Sequence, residues 1–109
     1  MASPVIINQA GPLPIKTTIE WPSTNTVIVA VSGSAFAQKP ATMLGVNVSI
    51  KDAWNTIQVF ANQAGTHMAF PTGFFPVNGA FGEITLTLSA VDGNTMTDAN
   101  DHFTVALIY

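Results

Sequence analysis

The chain changes character at every second residue over much of its length. Ile84, Leu86, Leu88 and Ala90 alternate with Glu83, Thr85, Thr87 and Ser89, and Ile15, Thr17, Ile19 and Trp21 alternate with Lys16, Thr18 and Glu20. Leu44, Val46, Val48 and Ile50 do the same against Gly45, Asn47, Ser49 and Lys51. Successive side chains of an extended chain point to opposite faces, so each stretch predicts a strand with one face in a core. No stretch sustains the i, i+3, i+4, i+7 apolar spacing of a helix. Val5 to Asn8, Thr56 to Ala61, Thr66 to Phe70 and Phe74 to Val77 supply further short strands, with Ser32-Gly33-Ser34 as a bend. Pro22-Ser23-Thr24-Asn25, Asn62-Gln63-Ala64-Gly65, Pro71-Thr72-Gly73 and Asn78-Gly79 punctuate them with turn chemistry. The pattern predicts an all-β fold: a two-sheet antiparallel β-sandwich, a jelly roll of about eight strands.

Two strands break the one-sided rule. Thr26 to Ser32 and Phe103 to Tyr109 are apolar on both faces. As neighbours in one sheet they would present Ile28, Ala30, Ala106 and Ile108, or their opposite set, to the outside. Only 8% of the residues are charged and the mean hydropathy is +0.38, whereas a small soluble domain usually carries about a quarter or more charged surface residues. An apolar outer face with little charge predicts self-association, hence a homo-oligomer.

The 109 residues predict a single domain over 1–109, without cysteine for disulfides or thiolate metal sites. Three lysines, no arginine and a net charge of -3 cannot make the basic stripe that nucleic acid requires. The opening MASPVIINQAGPLP has no basic n-region and no long apolar run. It predicts neither a signal peptide nor membrane insertion, and so a cytoplasmic, non-classically exported or virion-associated protein.

Residues 92–101 concentrate side-chain oxygen: Asp92, Asn94, Thr95, Thr97, Asp98, Asn100 and Asp101. Calcium takes six to eight oxygen ligands, which makes Asp92, Asp98 and Asp101 candidate metal ligands. The same side chains also serve ordinary turns, where Asx groups satisfy loop amides. Asp52-Ala53-Trp54-Asn55 reads as a tight connection in which an indole lies beside an amide and a carboxylate. A sugar ring stacks its CH groups on such a face and hydrogen-bonds to the polar neighbours; alternatively, Trp54 folds back as a lid over the sandwich end. Trp54, Asp52, Asn55, Asn94, Thr95 and Asn100 are therefore the candidate ligand-binding residues. His67 and His102 carry no recognisable metal spacing, and His102 adjoins Asp101. The absence of G-x-S-x-G, Walker, H-E-x-x-H or paired-glutamate motifs predicts a protein that is not an enzyme.

The succession VSGSAF, LGVNVSIKD, VFANQAGTH, FFPV, GEITLTL, TDANDHFTVALIY resembles small bacterial and phage jelly-roll domains of the C1q/TNF-like kind. That resemblance implies a trimer with an aromatic and aliphatic face on the three-fold axis. The last third, PVNGAFGEITLTL with the Asp/Asn-rich loop and HFTV, is similar to calcium-dependent galactose-binding bacterial lectins. There the loop before the last strand supplies calcium and sugar ligands, which would fall on Asp92, Thr95, Asn100 and Asp101. An acid stands here in place of the second of that family's paired asparagines. These readings together predict a non-enzymatic, self-associating, carbohydrate-binding module. The alternative is a structural homo-oligomeric subunit of a phage particle or bacterial surface appendage.

Overall fold

A computed structural model describes residues 1–51 and 53–109. Its strands are β1 (Val5–Ala10), β2 (Ile15–Glu20), β3 (Val27–Ser32), β4 (Ser34–Ala37), β5 (Thr42–Ile50), β6 (Ala53–Ala61), β7 (Met68–Ala69), β8 (Gly73–Val77), β9 (Glu83–Ala90), β10 (Thr95–Met96) and β11 (His102–Ile108). No helix occurs among the described residues. Two four-stranded antiparallel sheets, ordered β1-β11-β3-β8 and β2-β9-β5-β6, pack as a sandwich. The chain passes repeatedly from one sheet to the other. Within these sheets only β5 and β6 are consecutive in sequence and paired in space.

The alternation explains the core. Val27, Val29 and Val31 of β3 and Phe103, Val105 and Leu107 of β11 are buried, facing Leu44, Val46 and Val48 of β5 and Ile84, Leu86 and Leu88 of β9. Each such side chain contributes about 1.5–3 kcal/mol by leaving water. Strands apolar on both faces lie in the middle of the first sheet, where β11 and β3 pair as Ala106↔Ala30 and Ile108↔Ile28.

The outer faces of the two sheets differ in part: the first also carries the polar row Asn8↔Thr104↔Ser32, and the second the exposed apolar pair Met43↔Phe60. Across the first sheet run the rows Val5↔Ala106↔Ala30↔Phe74 and Ile108↔Ile28↔Pro76. Both rows are wholly apolar, with Val5 and Phe74 exposed. Across the second sheet run Lys16↔Thr87↔Ser49↔Trp54 and Ser89↔Asn47↔Thr56. Hydroxyls and amides bond along that face: Thr18 and Thr85 at 2.8 Å, and Thr56 Oγ1 donating to Asn47 Oδ1 at 2.8 Å.

Three sequence expectations change. Trp54 and Asn55 belong to β6, because pairing with β5 runs without interruption from Thr42↔Ala61 to Ile50↔Ala53; they are not in a turn. Asp52 lies outside the described residues. The strand expected over Thr66 to Phe70 shrinks to Met68–Ala69. Finally, the bend at Gly33 does more than kink a strand. A Cβ at that position would overlap the Phe103 ring, and beyond it β4 leaves the first sheet to found a third, small one ordered β10-β4-β7.

Candidate functional site

The small sheet gathers the site. On one side of β4, Ala37 and Phe36 pair with Thr95 and Met96 of β10. On the other, Ser34 and Ala35 pair with Ala69 and Met68 of β7. Two stretches far apart in sequence, 92–101 and 62–70, are thereby fastened to one short strand. Their polar side chains meet at Asp101, which is 0% exposed.

Asp101 Oδ1 accepts from Ser34 Oγ at 2.6 Å and from His67 Nδ1 at 2.7 Å, and Oδ2 accepts from the Asp98 amide at 2.9 Å. A buried carboxylate is tolerated only when its charge is met by donors in this way. His67 is also stacked, tilted by 49°, on the Phe36 ring, with centroids 4.6 Å apart. Its Nε2 stands 3.8 Å from Asp98 Oδ2. The hydrogen bond from Asp101 raises the His67 pKa above its ordinary value of 6.5 against a lowering by desolvation, and the negative charges of Asp101 and Asp98 add to the rise. His67 also lines an open cleft of about 400 Å³ with Asn62, Gln63 and Thr66.

Serine, histidine and aspartate do converge, but in the wrong order for nucleophilic catalysis. An activated serine hands its proton to an imidazole that a carboxylate orients. Here the carboxylate is central, and the Ser34 hydroxyl is spent on Asp101 rather than on His67.

The acidic loop is built by its own side chains. Asp92 Oδ1 accepts from the amides of Asn94 and Thr95 at 2.9 and 3.1 Å, and Asp98 Oδ1 accepts from the Asn100 amide at 2.8 Å. Asn94 Oδ1 accepts from the Lys39 amide at 2.7 Å. Thr95 is buried, and its hydroxyl accepts from the Gly45 amide at 3.1 Å. Asn100 alone of the loop's candidate sugar ligands is exposed. Asp98 and Asp101 come together with His67, their ligand atoms lying within 4.8 Å of one another. Asp92 is not in that group.

No protein-family model matches this chain, and no curated protein matches it in sequence. Its chemistry has to be read from its own side chains.

Trp54 stands apart from the loop. It lies on the outer face of the second sheet opposite Ser49, 67% exposed, and is not a lid. The loop instead packs against Gly45, where the Val91 amide donates to the Gly45 carbonyl at 3.1 Å. Ser49 lies four positions along β5 from Gly45, roughly 13 Å. Asn55 is opposite buried Val48 and so leaves β6 on the other face from Trp54. The five described candidates, Trp54, Asn55, Asn94, Thr95 and Asn100, thus do not form one cluster. His67 is the member of the Asp101 cluster that sequence reading passed over, since 34 positions separate the two. His102, the neighbour of Asp101 in sequence, turns instead to Asn8 Oδ1.

Proposed function

We propose that the protein is a non-enzymatic module that self-associates through one outer face and binds carbohydrate with the other. The observation carrying this reading is the contrast between the apolar rows on one outer face and the hydroxyl- and amide-bearing rows on the other. One presents Val5, Ala106, Ala30, Phe74, Ile108, Ile28 and Pro76 with no charge among them. Apolar patches of this extent mark interfaces, and depletion of charge is the compositional sign of an interface core. Its natural occupant is a further copy of this chain: a two-fold contact would bury the patch against itself, and a three-fold ring would bury it against neighbouring copies around the axis. The resemblance to C1q/TNF-like domains favours three copies, and the face has the aliphatic and aromatic content which that arrangement places on the axis. The strand orders β1-β11-β3-β8 and β2-β9-β5-β6 support reading the sandwich as a jelly roll.

The opposite sheet offers what a neutral sugar needs. Trp54 supplies an exposed apolar plane, and Ser49, Thr87, Asn47 and Thr56 supply donors and acceptors in adjoining rows. Phe60, also exposed, lies on the same face of β6 six residues along, roughly 20 Å from Trp54 in an extended strand. Association through the first sheet leaves this face outward in every copy.

Light scattering at micromolar concentration, followed by a glycan array with and without chelator, tests both halves. The expected result is a trimer that retains neutral glycans. A monomer would overturn the self-association, and an oligomer that retains no glycan would make the protein a structural subunit of a particle or appendage.

A further inference from the structure

We propose that His67 Nε2 and Asp98 Oδ2 bind a divalent cation of the zinc, cobalt or nickel class, with Asp101 as the residue that positions the imidazole. The Asp101 carboxylate is an acceptor, so the proton of the neutral His67 ring resides on Nδ1, which contacts Asp101 at 2.7 Å. That leaves the lone pair on Nε2. It faces Asp98 Oδ2 at 3.8 Å, and no donor among the described residues reaches that oxygen, because the Asn100 amide binds Oδ1. Two electron-pair donors thus face each other across 3.8 Å. Ligand bonds of about 2.0–2.2 Å on each side span such a gap.

The surroundings are those of a metal-ligating histidine. Such residues pass their second ring N–H to a carboxylate or carbonyl, which fixes the tautomer and the ring orientation. Asp101 does this from full burial, and Ser34 and the Asp98 amide hold Asp101 in turn. Phe36 packs on the ring at 4.6 Å. The imidazole opens on the cleft of about 400 Å³ whose wall includes Asn62 and Gln63, so an ion has a path in and water has room to complete its coordination.

Ligand chemistry separates this site from a calcium loop. Calcium selects sets made wholly of oxygen, whereas an imidazole favours the later first-row metals. Asp92 takes no part, since its carboxylate caps its own turn.

The test uses the full chain, stripped with chelator and held at pH 7.5. Zinc chloride is titrated calorimetrically, and cobalt(II) chloride is followed by its visible spectrum. One ion per chain is expected, with a cobalt spectrum showing nitrogen ligation. Affinity should fall at least tenfold in both His67→Gln and Asp98→Asn, while His102→Gln leaves it unchanged. Asp98→Asn keeps the oxygen that caps Asn100, so its far-UV circular dichroism should match the parent protein even if His67→Gln folds poorly. Absence of zinc binding below millimolar concentration would overturn the proposal. So would unchanged binding in Asp98→Asn, or calcium binding that displaces zinc and is indifferent to His67→Gln.

Discussion

His67 Nδ1 donates to Asp101 Oδ1 at 2.7 Å, and this bond ties the 62–70 stretch to the loop before the last strand. Asp101 gathers two further donors, the Ser34 hydroxyl and the Asp98 amide. It thus joins β4 to the segments that flank β7 and β10. Charge gives those bonds their strength, and burial makes the loss of it costly.

Replacing that charge should therefore be felt. Asp101→Asn presents an amide that cannot accept from every donor now satisfied, and a bond to a charged group is worth about 1.5–3 kcal/mol. We expect the urea-unfolding free energy to fall by about 2–3 kcal/mol, with Ser34→Ala losing less because one donor leaves and the others remain. A change in Asp101→Asn within about 0.5 kcal/mol, the range of ordinary surface substitutions, would contradict this role.

The same bond sets a pH dependence. The folded His67 pKa lies above the value of 6.5 that the group has without partners, first through the Asp101 hydrogen bond and then through the charges of Asp101 and Asp98, against desolvation. The folded state then binds the proton more tightly than the unfolded state does. Its stabilisation is complete below pH 6.5 and is lost as pH rises through the folded value. With chelator present throughout, the urea midpoint should decline from pH 6 towards pH 8, and His67→Gln should flatten that decline. A midpoint that rises over this range in the parent protein would reverse the sign and refute the assignment.

How much of this was visible in the sequence depends on which physical signal carried it. The period-two alternation in Ile84 to Ala90 and in Leu44 to Ile50 is enforced by the core, so the sandwich could be read directly. The two-faced character of the strands around Val29 and Val105 was also readable, but their pairing with each other is set by the sheet and not by their composition. The β5–β6 hairpin was obscured because its bend holds Lys51 at φ 53, a left-handed backbone that glycine or asparagine usually announces. The sequence therefore suggests a connection over Asp52 to Asn55, whereas Trp54 lies within β6. The acidic loop could not be resolved by composition either. Asp92, Asp98 and Asp101 are the same residue type, and only tertiary packing decides that one is wholly buried while Asp92 is exposed. His67 had no local pattern at all; β4 alone brings it to Asp101.

Self-association should respond to a charge on the apolar face. Phe74 lies opposite Ala30 on the outside of the first sheet and is 65% exposed. Phe74→Glu removes no core contact, yet it would place an unpaired carboxylate inside the interface, where desolvation is expensive. Light scattering should show one chain for the variant and several for the parent, with similar far-UV circular dichroism. The same mass for both would mean that this face is not the contact.

Trp54 distinguishes a binding surface from a packing one. Truncating a core tryptophan costs about 3–5 kcal/mol. Trp54 is 67% exposed at the end of a row of hydroxyls, so Trp54→Ala should change stability by no more than about 0.5 kcal/mol. What the variant loses is the flat apolar plane against which a sugar ring would lie. If the second sheet binds glycan, retention on the array positives should drop at least tenfold in Trp54→Ala. Asn100→Ala, in the distant loop, should bind like the parent. The converse pattern, with Asn100→Ala defective and Trp54→Ala intact, would move the sugar from the sheet face to the acidic loop. A loss of several kcal/mol in Trp54→Ala would instead make the indole part of the fold's support, and the polar face would lose its anchor for a ligand.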